Sequence, residues 1–333
     1  MDNISQINRI DKFIHYMELG SIMNEPEKLT GGLMHTIYAV DTDKGKYAVK
    51  ILNPAVMERE KALKNTIHSE IIAAQLSNQV PAVTALQKDG QAVIQIEGSF
   101  FMTFPWQEGT CIFAPDITAV HCGKIGSILG RIHAANVEVE GINPDAFCHI
   151  SYDWEEYYKQ GKEKQCIWTE ELSKCYQNLY IWAEKVNTAA EKLSSLQIIS
   201  HRDMDPKNVM WNQEEPFLID WESAGYINPY QELIEVICYW CSNEDGSLDQ
   251  ERYKDLISAY EKEYPITCRY YKEAVDSGYA GMLGWLDYSF RRSLGMESSS
   301  SEEQELGTQQ VTATLRELRK YEHKTALLHT LLQ

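Results

Sequence analysis

Residues 199–222, I-S-H-R-D-M-D-P-K-N-V-M-W-N-Q-E-E-P-F-L-I-D-W-E, constrain this chain more than any other stretch. They form a β-like island in a half of the sequence that otherwise reads as helix. Residues 209–212 and 217–220 are two short β-prone runs, and 213–216 make a four-residue turn between them. A simple hairpin register pairs 212 with 217 and therefore 209 with 220. Paired strands lie about 5 Å apart, so Asn208 and Asp220 are expected side by side at one end. Asp203 falls just upstream, in the loop that feeds the first strand. One hairpin thus gathers a carboxylate, an amide oxygen and a second carboxylate. Oxygens of this kind suit Mg²⁺. With Asn208 and Asp220 on the metal, Asp203 is free to orient an attacking hydroxyl and accept its proton. Each residue alone reads as a turn cap; the joint pattern H-x-D-x-x-x-x-N, then an apolar strand ending in Asp, reads as function.

The rest of the chain divides by character. Ile7, Ile10, Ile14 and Met17 at helical spacing predict an opening helix over 4–19. β-rich runs on either side of a turn at 41–45 predict a hairpin. A helix is expected over 57–77, ended by Pro81, with Ile67, Ile71, Ala74 and Leu76 available for burial. Further strands are expected at 82–87, 91–97 and 99–104. Beyond them, 116–136, 151–160, 168–195, 229–242, 249–262, 270–294 and 306–332 read as helices. The expectation is an α+β chain: a β-rich part over 1–105 and a helical part over 106–333 that carries the 199–222 loop. A hydrophobic content of 44% supplies a real core and excludes wholesale disorder.

Lys and Arg total 31 against 49 Asp and Glu, a formal net charge of −18. That field repels nucleic-acid backbones and anionic membranes and attracts cationic small molecules. No apolar run approaches the ~20 residues of a membrane-spanning helix, and the N-terminus lacks a secretory pattern. The eight scattered cysteines suit reduced thiols, so a cytoplasmic protein is expected. The lone C-x-x-C, Cys238 to Cys241, sits in an apolar run and reads as helix packing.

The chain resembles the aminoglycoside phosphotransferase and choline kinase family, small-molecule kinases with a protein-kinase-like fold. The resemblance rests on His201-Arg202-Asp203, Asp205-Pro206-Lys207-Asn208 and Ile219-Asp220-Trp221-Glu222. Upstream it includes Thr30-Gly31-Gly32-Leu33, Tyr47-Ala48-Val49-Lys50 and Val80-Pro81. Trp221-Glu222 stands where a protein kinase has Phe-Gly, and no Ala-Pro-Glu follows, which points away from protein substrates. The resemblance implies a bilobal fold, ATP (or GTP) and Mg²⁺, and γ-phosphate transfer to a small-molecule hydroxyl. It implies Asp203 as catalytic base and Asn208 and Asp220 as metal ligands. Glu222 would support the metal directly or through water, His201 would brace the loop, and Lys207 would touch the transferring phosphate.

The same resemblance implies that Lys50 holds the α- and β-phosphates and is itself held by an acid on the next helix. Candidates are Glu58, Glu60 and Glu70; Glu70 matches the family spacing best and Glu60 second. Gly31 and Gly32 would let the backbone approach phosphates. The Pro105 carbonyl and the Gln107 amide are the expected adenine contacts, since Pro105 has no N–H to donate. Asp153, Glu155, Trp285, Asp287 and Tyr288 are candidate walls for the acceptor, because carboxylates and aromatic faces hold cations. With the net charge they favour an amine-bearing acceptor such as an aminoglycoside or amino alcohol. Homoserine and methylthioribose stay open, as does a kinase-like regulatory protein without turnover.

Overall fold

The computed structural model describes residues 3–29, 35–144, 149–266, 270–298 and 300–331, with the side chains of 3, 4 and 331 left aside. The chain forms two compact units. The first comprises Met1–Asn143, Ile199–Gly225 and Ser258–Tyr264, and the second Pro144–Ile198, Tyr226–Ile257 and Pro265–Gln333. The loop expected at 199–222 therefore groups with the β-rich N-terminal residues.

In the first unit, α1 (Asn3–Tyr16) is followed by β1 (Glu27–Lys28), β2 (Thr36–Thr42) and β3 (Gly45–Ile51). Next come α2 (Pro54–Met57), α3 (Ala62–Leu76), β4 (Ile94–Ile96), β5 (Ser99–Pro105), β6 (Thr110–Cys111) and α4 (Ala119–Ala135). The first five strands make one antiparallel sheet in the order β1-β2-β3-β5-β4. The amphipathic spacing of α1 does what its pattern implies. Ile10, Phe13, Ile14 and Met17 pack on Tyr38, Val40, Val49 and Phe101, and the Phe13 and Phe101 rings stack 5.0 Å apart. Side chains alternate across a strand. With Val49 and Ile51 in this core, Lys50 projects from the opposite face of β3, between Ile37 and Met102 in register.

Two expectations change here. The helix foreseen over 57–77 is α2 plus α3, and α3 buries Thr66, Ser69, Glu70, Ile72, Ala73 and Leu76. Ile67 and Ile71 are exposed instead, because the buried face is the one that carries Glu70. Residues 82–87 form no strand. Their donors go to separate acceptors: Val83 to the Leu218 carbonyl at 2.9 Å, Ala85 to the Glu70 carboxylate at 2.9 Å, and Leu86 to the Thr103 carbonyl at 2.7 Å. The segment thus ties β5 to the 199–222 hairpin and to α3.

In the second unit α5 (Trp154–Glu163), α6 (Thr169–Ser173) and α7 (Tyr176–Leu193) precede the 199–222 island. Within that island lie β7 (Ile198–Ser200), β8 (Val209–Asn212) and β9 (Glu215–Leu218), and β10 (Gly225–Ile227) follows. The remaining helices are α8 (Pro229–Trp240), α9 (Gln250–Glu263), α10 (Tyr271–Ser277), α11 (Tyr279–Ser293) and α12 (Ser301–Leu331). The expected 168–195 and 270–294 helices are each two helices. The second breaks at Gly278, where a Cβ would lie 2.0 Å from the Tyr321 hydroxyl. Trp154, Trp168, Trp182, Trp240, Tyr279 and Phe290 are fully buried and dominate this unit's core. Cys238 and Cys241 are free thiols, on and just after α8. No described helix is long and apolar enough to cross a membrane.

Candidate active site

The hairpin of β8 and β9 places the loop residues, in a register two residues tighter than the sequence suggests. Asn212 faces Glu215 and Val209 faces Leu218. Only Gln213 and Glu214 make the turn, because Gln213 adopts a left-handed φ of 56°. Asn208 therefore opposes Ile219, whose N–H donates to the Asn208 carbonyl at 3.0 Å. Asp220 comes one residue later and takes φ 58°, ψ 66°. That left-handed turn, tolerable for Asp, breaks the strand at the position where the carboxylate is needed. β6 completes a three-stranded sheet by pairing with β8. Gly109, just before it, passes so close that a Cβ would sit 2.5 Å from the Trp211 carbonyl.

Asp203 is held from several sides. Its backbone N–H donates to Nδ1 of the fully buried His201 at 3.3 Å. His201 in turn lies 3.1 Å through Nε2 from the Ile219 carbonyl and 4.5 Å from the Trp221 ring. An Nδ1 that accepts an N–H leaves the proton on Nε2, so His201 spans both sides of the hairpin loop. Asn208 donates its Nδ2 to the Asp203 carbonyl at 2.9 Å and to the Asp203 carboxylate Oδ2 at 2.8 Å. Lys207 Nζ lies 3.4 Å from the same Oδ2. Both donors fall on Oδ2, so Oδ1 has no protein donor among the described residues. With its Nδ2 committed to Asp203, Asn208 turns its Oδ1 away as a free acceptor.

Lys50 is nearly buried, yet it has two anionic partners. Its ammonium lies 3.2 Å from Asp220 Oδ1 and also contacts Glu222 Oε1. Burial works against the charge, but the Asp220 and Glu222 carboxylates outweigh it, and the Lys50 pKa is raised. Glu222 has a second neighbour, His35, whose Nε2 lies 3.3 Å from Oε1. Burial favours the neutral acid, yet the His35 ring and the Lys50 ammonium overcome it and hold the Glu222 pKa down to about 2.

The expected Lys50–Glu70 ion pair is not made. Glu70 is buried, its Oε2 accepts the Ala85 N–H at 2.9 Å, and burial pushes its pKa up to about 7. The spacing that selected Glu70 found the inward-facing acid of α3, but the acids after β9 hold the lysine.

The remaining candidates fall in several places. Gly31 and Gly32 lie outside the described residues. Pro105 ends β5 opposite Tyr47. Trp106 donates its N–H to the Lys46 carbonyl at 3.2 Å. Strand alternation therefore turns the Pro105 carbonyl to the other edge, the edge on which Thr103 accepts from Leu86. Gln107 is half-buried. In the second unit, Asp153 caps α5 by accepting the Glu156 N–H at 3.0 Å, and Glu155 is an exposed partner of Lys159 at 3.4 Å. Asp287 is buried and fully engaged: Tyr157 donates to it at 2.6 Å and Arg291 lies 2.7 Å away. Trp285 is exposed, with its ring 5.4 Å from that of Tyr288. These five residues do not form one open anionic pocket, since Asp287 is closed off by its own partners.

Sequence reasoning missed His35. The signal was a lone polar ring immediately before an apolar strand, three residues after Gly32. Among the described residues no group of three or more His, Cys, Asp and Glu side chains stands ready-made as a metal cage. In this arrangement Lys50 occupies the gap between Asp220 and Glu222.

Residues 26–266 match the model of the APH family, the phosphotransferase enzyme family. A homoserine kinase from Polaromonas naphthalenivorans is 25% identical over 264 residues, covering 77% of this chain and 78% of that protein. A spectinomycin phosphotransferase solved with ADP and spectinomycin superposes with a TM-score of 0.67 at 12% identity, covering 93% of this chain and 98% of its own. An amicoumacin kinase solved with AMP-PNP and Ca²⁺ gives 0.62 at 14% identity, covering 95% and 96%. With the fold, the H-x-D loop and the family match in agreement, this chain belongs to the phosphotransferase enzyme family and is a small-molecule kinase.

Proposed function

We propose that this protein transfers the γ-phosphate of ATP to a hydroxyl of a small amine-bearing molecule, with Asp203 as the base. The observation that carries the reading is the asymmetry of Asp203. Asn208 and Lys207 occupy Oδ2, which leaves Oδ1 to accept the proton of an incoming hydroxyl. A base must stand within hydrogen-bond reach of the proton it takes, and a carboxylate clamped on one oxygen is held ready for that.

The donors around Asp220 fit a hard divalent cation. The Asn208 Oδ1, the Asp220 carboxylate and the Glu222 Oε2 are all oxygens and too few to enclose an ion. This is the pattern for Mg²⁺ that keeps positions for phosphates. When bound, such a cation neutralises charge on the phosphates. Lys50 would then turn from Asp220 toward the α- and β-phosphates, and Lys207 toward the phosphate in transfer. The Pro105 carbonyl and Gln107 amide suit an adenine edge as acceptor and donor, with Gly31 and Gly32 beside the phosphates. The lobes that the reading requires are those expected from sequence, 1–105 and 106–333.

The acceptor is read as an amino alcohol or amino sugar. Spectinomycin, bound by one structural neighbour, carries amines and hydroxyls, and a chain of net charge −18 favours a cationic ligand. Homoserine, the substrate named for the sequence relatives, is a zwitterion and stands as the alternative acceptor. Asp153, Glu155, Trp285 and Tyr288 remain the candidate wall, with Asp287 supporting it through Tyr157. The test is phosphate transfer from labelled ATP and Mg²⁺ to a panel of homoserine, amino alcohols, aminoglycosides and methylthioribose, with Asp203→Asn as control. Transfer to one amine-bearing member, abolished in Asp203→Asn, supports the reading. Nucleotide binding without transfer to any of them favours a regulatory binder.

A further inference from the structure

His35 is built into the site in a way that no motif accounts for. It stands one residue before β2, its side chain is 4% exposed, and both ring nitrogens are used. Nδ1 accepts the Asn53 backbone N–H at 2.9 Å. A nitrogen that accepts cannot also carry the proton, so the neutral ring bears it on Nε2. Nε2 lies 3.3 Å from Glu222 Oε1, within ion-pair reach, and in this arrangement Oε1 accepts no aligned hydrogen bond. The Lys50 ammonium approaches the same Oε1. Both nitrogens stand on the Oε1 side of Glu222 and leave Oε2 uncommitted among the described residues.

This arrangement joins three separate pieces of chain. Asn53 follows β3 and caps α2 through its side chain. His35 immediately precedes β2, three residues after Gly32, and Glu222 follows Asp220 beyond β9. Lys50 makes a different kind of contact with Glu222. It also serves Asp220, and in the proposed reaction it leaves both acids for the nucleotide phosphates. When it does, His35 Nε2 is the remaining nitrogen beside Glu222 among the described residues.

We infer that His35 is a positioning residue, whose Nε2–H holds Glu222 Oε1 so that Oε2 is presented to the divalent cation accompanying the nucleotide. The inference rests on the phosphotransfer reading above. Loss of a hydrogen-bond partner that orients a metal ligand typically costs about 10–100-fold in metal affinity. Holding Glu222 is therefore expected to show in the metal-dependent part of nucleotide binding, before any turnover.

The test is calorimetric binding of the non-hydrolysable analogue AMP-PNP, with Mg²⁺ and with EDTA, to the full chain and to His35→Ala, His35→Gln and His35→Asn. A glutamine amide N–H falls where Nε2 sits and keeps the donor to Glu222. An asparagine Oδ1 falls where Nδ1 sits and keeps only the acceptor for Asn53. We expect His35→Ala to lose at least tenfold of the Mg²⁺-dependent gain in affinity while EDTA-condition binding stays within twofold. Gln should recover most of the gain and Asn little of it. In a Glu222→Gln background, His35→Ala should change the gain by less than twofold. Four results would overturn the inference: an unchanged gain in His35→Ala, an equal loss with EDTA, Gln no better than Ala, or Asn restoring as well as Gln. Should the alanine variant unfold, the Gln and Asn pair decides alone. If the unaltered protein shows no Mg²⁺-dependent gain, the phosphotransfer reading itself fails, a different result from failure of the His35 assignment.

Discussion

The Lys50 ammonium lies 3.2 Å from the Asp220 carboxylate, an ion pair between residues that the reaction needs apart. Each is the other's placeholder: the lysine stands where a metal is expected, and the aspartate stands where phosphates are expected. In the proposed reaction, nucleotide and cation together would compensate the two charges that this ion pair now balances. Asp220→Ala is expected to remove most of the Mg²⁺-dependent gain in nucleotide affinity, about tenfold or more. Calorimetry with and without Mg²⁺ measures this, and an unchanged gain would take Asp220 off the metal.

Asp203→Asn keeps the shape of the loop and removes the base. Turnover on the true acceptor is expected to fall by about 10²–10⁴-fold, with nucleotide affinity within about twofold of the unaltered protein. Steady-state rates together with nucleotide titration separate the two effects. Near-normal turnover would show that Asp203 is not the base.

Glu70 gives a pH signature in stability. Burial raises its folded pKa to about 7, above the value near 4.3 of an unfolded glutamate. The folded state then binds more protons than the unfolded state between those values, so its contribution is present below about pH 4.3 and is lost as pH rises through about 7. Glu70→Gln keeps an acceptor for the Ala85 N–H without the ionisation. Its melting temperature relative to the unaltered protein should rise between pH 5 and pH 8. A pH-independent difference would mean that Glu70 does not titrate there.

Asp287 is expected to act on stability before it acts on the acceptor. It is buried, accepts the Tyr157 hydroxyl and meets the part-exposed Arg291, and leaving such buried partners unsatisfied typically costs about 1–3 kcal/mol. Asp287→Ala should lower stability to urea by an amount of that order, while Glu155→Gln, on an exposed helix face, should change it by less than about 0.5 kcal/mol. Equal effects from the two would contradict the buried network.

The sequence by itself determined the chemistry of the 199–222 island. Its apolar runs demand a hairpin and its polar residues cluster at one end, so Asp203, Asn208 and Asp220 were legible from spacing, while the bracing by His201 came with the family resemblance. The amphipathic α1 and the β2–β3 hairpin were legible for the same reason, since local periodicity reports which face is buried. Only the tertiary structure decided how the pieces address one another. The left-handed backbone at Gln213 tightened the hairpin by two residues, a choice that local propensity does not encode. The partner of Lys50 was decided by a contact across 170 residues of chain, and α3 turned Glu70 to the Ala85 N–H, away from the lysine. His35 carries no motif; it matters because folding brings its ring between Asn53 and Glu222. Carboxylates of one type are interchangeable in a sequence, and burial and distance separate one held near a pKa of 2 from one held near 7.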